Sequence, residues 1–122
     1  MSTASPTLLR AVPVLPVPDL AAALACLCER MGFTRAFEYE GYAGVRRDAV
    51  ELHVFHCETP PVAEWSSCRL YVSGIEALYA ELQQQGVIHP NGALAERPWG
   101  LKEFTALLPG GAALVFGEAS EA

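Results

Sequence analysis

The sequence predicts an α+β fold in which two βαβββ modules curl mixed sheets around a groove. Three observations support this. With 122 residues the chain can build one real core but not two ordinary independent domains. Strand-like and helical periodicities occur in the same order, strand then helix then strands, in each half. Landmarks also recur: Val17, Asp19 and Gly32 match Val72, Gly74 and Gly86 at offsets of 55, 55 and 54 positions, which points to an internal duplication. The expectation is a single domain over 1–122, with modules at about 8–58 and 66–118.

The first element, Leu8 to Val17, is apolar and β-branched but carries Pro13 and Pro16, which lack an N–H; it suits an edge or exchanged strand. Asp19 can cap a helix because its carboxylate accepts from first-turn N–H groups. Leu20, Leu24, Leu27 and Met31 follow at helical spacing and Gly32 supplies the stop. Phe33 to Glu40, Gly44 to Asp48 and Val50 to Cys57 read as a meander. In its last strand, Val50, Leu52 and Val54 alternate with Glu51, His53 and Phe55, so one face is core and the other lines a pocket or meets solvent.

A loop holding Pro60 and Pro61 leads to a strand from Ser67 to Val72. Ser73-Gly74-Ile75-Glu76 then reads as a capping box, opening a helix with Ile75, Leu78, Tyr79 and Leu82 as its buried stripe and Gly86 as its end. Leu101 to Leu108 and Ala112 to Gly117 close the chain around a Pro109-Gly110-Gly111 turn. Two such modules enclose a concave surface, where ligands bind.

Composition narrows the function. Just over half of the residues are hydrophobic, yet no apolar run reaches the roughly 20 residues that cross a bilayer, and Met1 to Arg10 lacks the blocks of a secretory signal. A cytoplasmic protein is expected. Net charge is −6 and only Arg46 and Arg47 are adjacent basic residues, which excludes a nucleic-acid footprint and favours cationic ligands. Cys26, Cys28, Cys57 and Cys68 read as reduced thiols; two positions apart on a helix, Cys26 and Cys28 point to different faces and cannot share an ion. Ser66, Ser67 and Cys68 sit in no nucleophile elbow.

Ala11-Val12-Pro13-Val14-Leu15, Gly32-Phe33-Thr34-Arg35, Ala43-Gly44-Val45-Arg46-Arg47-Asp48, Leu78-Tyr79-Ala80-Glu81 and Arg97-Pro98-Trp99-Gly100 through Glu103-Phe104 resemble the bleomycin resistance proteins over nearly the whole chain. Those belong to the vicinal oxygen chelate superfamily, with glyoxalase I and the extradiol dioxygenases, so the resemblance implies the fold before the function. It implies a homodimer with an exchanged N-terminal strand hinged at Pro13, and two interface grooves that sequester a cationic glycopeptide of the bleomycin type without catalysis. It implies no cofactor, no nucleic acid and no membrane partner.

Groove aromatics map by that resemblance onto Phe37, Tyr42, Phe55 and Trp99, with His53, Arg69, Tyr71 and Gly100 beside them. For Phe37, Tyr42 and Phe55 a core role stands open as well. Positions that hold metal in the superfamily's enzymes fall on Val12, Ser67 and Val115, which are poor ligands. Two departures matter: Arg69 stands where some relatives carry Trp, and Leu108-Pro109-Gly110-Gly111-Ala112 replaces an acidic turn. Arg69 would either repel a cation or pair with Glu51 or Glu64. Trp65 offers a replacement ring, and Glu103 is left outside the site.

Overall fold

Backbone pairing in the computed structural model, which describes residues 5–59 and 62–120, forms two four-stranded mixed sheets. The first has β1 (Val14–Val17), β2 (Thr34–Tyr39), β3 (Tyr42–Arg47) and β4 (Val50–His56) in the order β1-β4-β3-β2. The second has β5 (Ser67–Tyr71), β6 (Ala95–Glu96), β7 (Leu101–Leu107) and β8 (Ala113–Ala119) in the order β5-β8-β7-β6. Each is a parallel pair of outer and inner strands followed by an antiparallel meander, so the expected duplication is visible as topology.

One helix covers one face of each sheet. Between β1 and β2, α1 (Leu20–Ala25) runs into a π-helical turn, Cys26–Arg30, closed by Met31 N–H donating to the Cys26 carbonyl. Asp19 caps it as expected, its Oδ1 accepting from Ala22 N–H at 3.0 Å. Leu24, Leu27 and Met31 pack against Leu15, Val17, Ala43, Val45, Leu52 and Val54, all buried. In the second half α2 (Ile75–Gln84) places Ile75 and Leu82 against Phe104, Ala106, Leu114 and Phe116. Alternation along each strand sends every other side chain away from the helices, onto a face that no helix covers.

Three sequence expectations need correction. Leu8 to Arg10 form no strand; β1 starts at Val14, and Leu8 and Leu9 are fully exposed because nothing among the described residues covers them. The second strand of the meander starts at Tyr42 rather than Gly44, since the turn needs only Glu40 and Gly41, with Gly41 at φ 78°. Pro60 and Pro61 lie outside the described residues. Ser73 and Glu76 form no capping box: the N-cap is Gly74, left-handed at φ 83°, which carries no side chain to cap with.

The cap of α2 comes instead from β8. Glu118 accepts from Gly74 N–H at 2.9 Å and Ile75 N–H at 3.1 Å, bonds that hold its pKa below the usual carboxylate range, while Glu76 pairs with Lys102 at 2.7 Å. Glu118→Ala is therefore expected to lower the melting temperature, and Ser73→Ala to leave it unchanged, in parallel thermal unfolding curves.

Candidate functional site

On the first sheet, strand register assembles the uncovered face. Tyr42 lies opposite Phe55, Gly44 opposite His53 and Arg46 opposite Glu51, while Phe37 pairs with Gly44 and Tyr39 with Tyr42. Gly44 is what lets Phe37 lie flat: a Cβ there would sit 2.3 Å from the ring. Phe37 meets His53 edge-on at 5.0 Å, stacks on Tyr42 at 6.1 Å and tilts against Tyr39 at 5.6 Å. These are favourable aromatic geometries.

A polar chain runs under those rings. Glu51 only accepts, so the 2.6 Å contact to His53 puts a hydrogen on Nε2; in the neutral ring Nδ1 then accepts from the Tyr42 hydroxyl at 2.7 Å. Arg46 and Arg10 also donate to Glu51, at 3.0 and 3.1 Å. The His53 hydrogen bond, then those from Arg46 and Arg10, hold the Glu51 pKa at about 2 against an ordinary 4.5.

The sign follows from a folded-state value lying below the unfolded one. The stabilisation is complete above the unfolded value and is lost as pH falls from about 4.5 through about 2. Melting temperature against pH should therefore fall more steeply across that window in the wild type than in Glu51→Gln, with the two curves converging in strong acid. Parallel curves would mean that the network contributes nothing to folding.

The uncovered face of the second sheet is built by Arg69 and Tyr71 on β5, Glu103 on β7, and the turn from Arg97 to Gly100. Arg69 crosses β8 over Gly117, where a Cβ would press its Nη1 at 3.3 Å, and donates to Glu103. Trp99 is 61% exposed and donates its indole Nε1–H to the same carboxylate at 3.3 Å. Arg97 Nε stands 3.8 Å from the other oxygen, too far for a hydrogen bond. Burial pushes the Glu103 pKa up, but the donors Arg69 and Trp99 and the charges of Arg69 and Arg97 prevail and lower it overall.

The structure therefore brings the eight expected site residues together as two groups. Phe37, Tyr42, His53 and Phe55 share one open face; Arg69, Tyr71, Trp99 and Gly100 share the other. Arg69 is neutralised, though by Glu103 and not by Glu51 or Glu64. Glu103 is the residue that sequence reasoning left out, and its only local signal is a carboxylate beside Phe104 in an apolar strand. Trp65 is exposed on the turn before β5. A separate cleft of about 520 Å³ lies between the β3–β4 turn and α2, lined by Met31, Phe33, Val50, Leu70 and Leu82, and of the eight it takes only Tyr71.

A family model described as the Glyoxalase/Bleomycin resistance protein/Dioxygenase superfamily matches residues 8–116. The chain belongs to this superfamily. Within it, bleomycin resistance proteins from Geobacillus stearothermophilus and Staphylococcus aureus are 27% identical over 119 residues, 84% of this chain and 90% of theirs. Among solved structures, the bleomycin-binding protein of bleomycin-producing Streptomyces verticillus, complexed with copper(II)-bleomycin, is 30% identical. It superposes with a TM-score of 0.83, covering 96% of this chain and 100% of that one. A bleomycin-binding protein complexed with bleomycin is 26% identical with a TM-score of 0.78, over 91% of this chain and 98% of that one.

The superfamily's name spans binding proteins and enzymes, so the donor set of this member decides what its faces can do. Val12 precedes β1, Ser67 opens β5 and Val115 lies on β8 beside Arg69. Among the described residues no three His, Cys, Asp or Glu side chains group as a metal site. All four cysteines are free; burial raises the Cys26 thiol and pushes Cys68 up to about 11, which keeps both protonated at neutral pH. No helix among the described residues is long and apolar enough to cross a membrane.

Proposed function

We propose that this protein binds a bleomycin-type antibiotic in grooves built from two copies of the chain, and protects by sequestration without catalysed chemistry. The observation that carries this reading is the pair of outward aromatic faces: Phe37, Tyr42 and Phe55 on one sheet, Tyr71 and Trp99 on the other. Rings fixed by a neighbour lose little entropy when they stack on a heteroaromatic ligand. The phenol of Tyr42 is held by His53, and the indole of Trp99 by Glu103. The resemblance to proteins solved with bleomycin and copper(II)-bleomycin names the ligand class.

Absence of catalysis rests on chemistry. Val12 and Val115 offer a divalent ion no donor and Ser67 only a neutral hydroxyl, whereas catalysis by a metal needs several ligands converging on one ion. Dimerisation is supported by the N-terminal segment, whose Leu8 and Leu9 are left fully exposed and which is tied to its own chain at Arg10 and Glu51. A second copy that covers this segment would remove two large apolar side chains from water.

The test is calorimetric titration with metal-free and copper-loaded bleomycin. One ligand per subunit is expected, and Trp99→Ala should weaken binding by roughly 30-fold, as removal of an aromatic hot spot does. Absence of saturable binding by the wild type would refute the reading.

A further inference from the structure

Half of the chain's cations gather on its two uncovered faces. Of eight basic residues, Arg10 and Arg46 converge on Glu51, and Arg69 and Arg97 converge on Glu103. Each cluster thus holds two guanidinium groups for one carboxylate, in a chain whose net charge is −6. On the second sheet the imbalance has a definite location. Glu103 is 5% exposed and is engaged by Arg69 and Trp99. The Arg97 guanidinium makes no hydrogen bond to a side chain or carbonyl among the described residues, and its side chain is 36% exposed.

The turn bearing Arg97 is firmly held. Arg97 N–H donates to the Leu101 carbonyl at 2.7 Å, and Gly100 N–H donates to that of Arg97 at 3.1 Å, with Gly100 at φ 84°. Trp99, two residues on, has its ring plane set by the bond to Glu103. A fixed, exposed aromatic face therefore stands beside a guanidinium that lies 3.8 Å from the Glu103 carboxylate and whose planar donor fork makes no hydrogen bond among the described residues. That combination matches a flat ring bearing a negatively charged or strongly accepting group, which stacks on the indole while Arg97 takes its oxygens.

We propose that the Arg97-Trp99-Glu103 corner is a subsite for the carboxylate of a planar aromatic ligand, and that it disfavours a cationic substituent there. Glu103 acts as the positioning residue, orienting Trp99 and neutralising Arg69 so that the net charge offered to the ligand is that of Arg97. This inference concerns charge preference at one end of the face proposed above to bind the antibiotic, and does not require that the antibiotic be bleomycin. If it is, the cationic end of the antibiotic must lie away from this corner.

A charge series on one ring tests it: 2-naphthoate, 2-naphthamide and 2-naphthylmethylammonium, titrated into full-length protein while the Trp99 indole N–H resonance is followed. The carboxylate should bind best, in the millimolar range, and the ammonium worst. Arg97→Gln should weaken naphthoate about tenfold and erase the difference between carboxylate and amide, while Arg97→Lys retains part of it. Added salt should weaken only the carboxylate.

Equal binding of all three compounds, a preference that survives Arg97→Gln, or no shift of the Trp99 resonance with naphthoate would overturn the proposal. Bleomycin titration of the same variants separates the two ideas. If bleomycin fails to bind while the carboxylate preference persists, only the antibiotic reading falls. If bleomycin binds without any carboxylate preference, only the subsite falls.

Discussion

Gly44→Val is expected to drive Phe37 off the uncovered face of the first sheet and to lose both stability and ligand affinity. A Cβ at position 44 would lie 2.3 Å from Phe37 Cε2 and 2.7 Å from Cζ, inside any tolerated contact, so the ring must leave. Its departure removes the edge contact to His53 and the stacking on Tyr42. Overpacking of this kind costs about 1–3 kcal/mol, offset in part by the better strand propensity of valine. Urea unfolding should show the loss, and bleomycin titration a weakening of at least about tenfold, since a displaced ring cannot stack on the ligand. The double variant Gly44→Val, Phe37→Ala checks the cause: with the ring gone the clash is gone, so the double variant should be no less stable than Gly44→Val alone. Additive losses would show that Phe37 does not rest on Gly44.

Phe104→Ala carries the larger stability effect. Phe104 is 1% exposed, stacks on Phe116 at 5.0 Å and meets Tyr79 edge-on at 5.2 Å, so it joins β7, β8 and α2. Truncation leaves a cavity that three elements must collapse to fill, at about 3–5 kcal/mol, a large share of the roughly 5–15 kcal/mol that holds a domain folded. The denaturation midpoint should fall accordingly, with an unchanged slope if folding stays two-state. A loss under about 1 kcal/mol would mean that the core beneath α2 is not packed as described. Because Glu103 precedes Phe104 on the same strand, a variant that still folds should also show a broadened Trp99 indole resonance.

Much of the architecture was readable along the chain because it is encoded at short range. Alternation of Val50, Leu52 and Val54 with Glu51, His53 and Phe55 named both faces of β4 correctly: Leu52 and Val54 are fully buried, and the other set lies on the open side. Helical spacing of Leu24, Leu27 and Met31 found the covering helix, and the matching glycines Gly32 and Gly86 end the two helical segments with positive φ. Such signals need only the period of one element and the conformational range of one residue.

What the sequence did not disclose is every interaction whose partners lie far apart in the chain. Arg69 and Glu103 are 34 positions apart, and the cap of α2 comes from Glu118, 43 and 44 positions beyond the N–H groups it accepts. The local motif Ser73-Gly74-Ile75-Glu76 gave the right helix start for the wrong reason: Gly74 is the N-cap, and a carboxylate delivered by β8 takes the Gly74 and Ile75 N–H groups, which a Ser73–Glu76 box would not have used. Aromatic residues likewise showed the same composition whether buried or displayed; Phe104 and Phe37 parted only when register placed one beneath a helix and the other over a glycine. Periodicity and residue type thus fixed the elements, their order and their inner faces. Pairing of the strands alone settled which charges meet, since that pairing brings distant residues within hydrogen-bond reach and no local pattern encodes the distance.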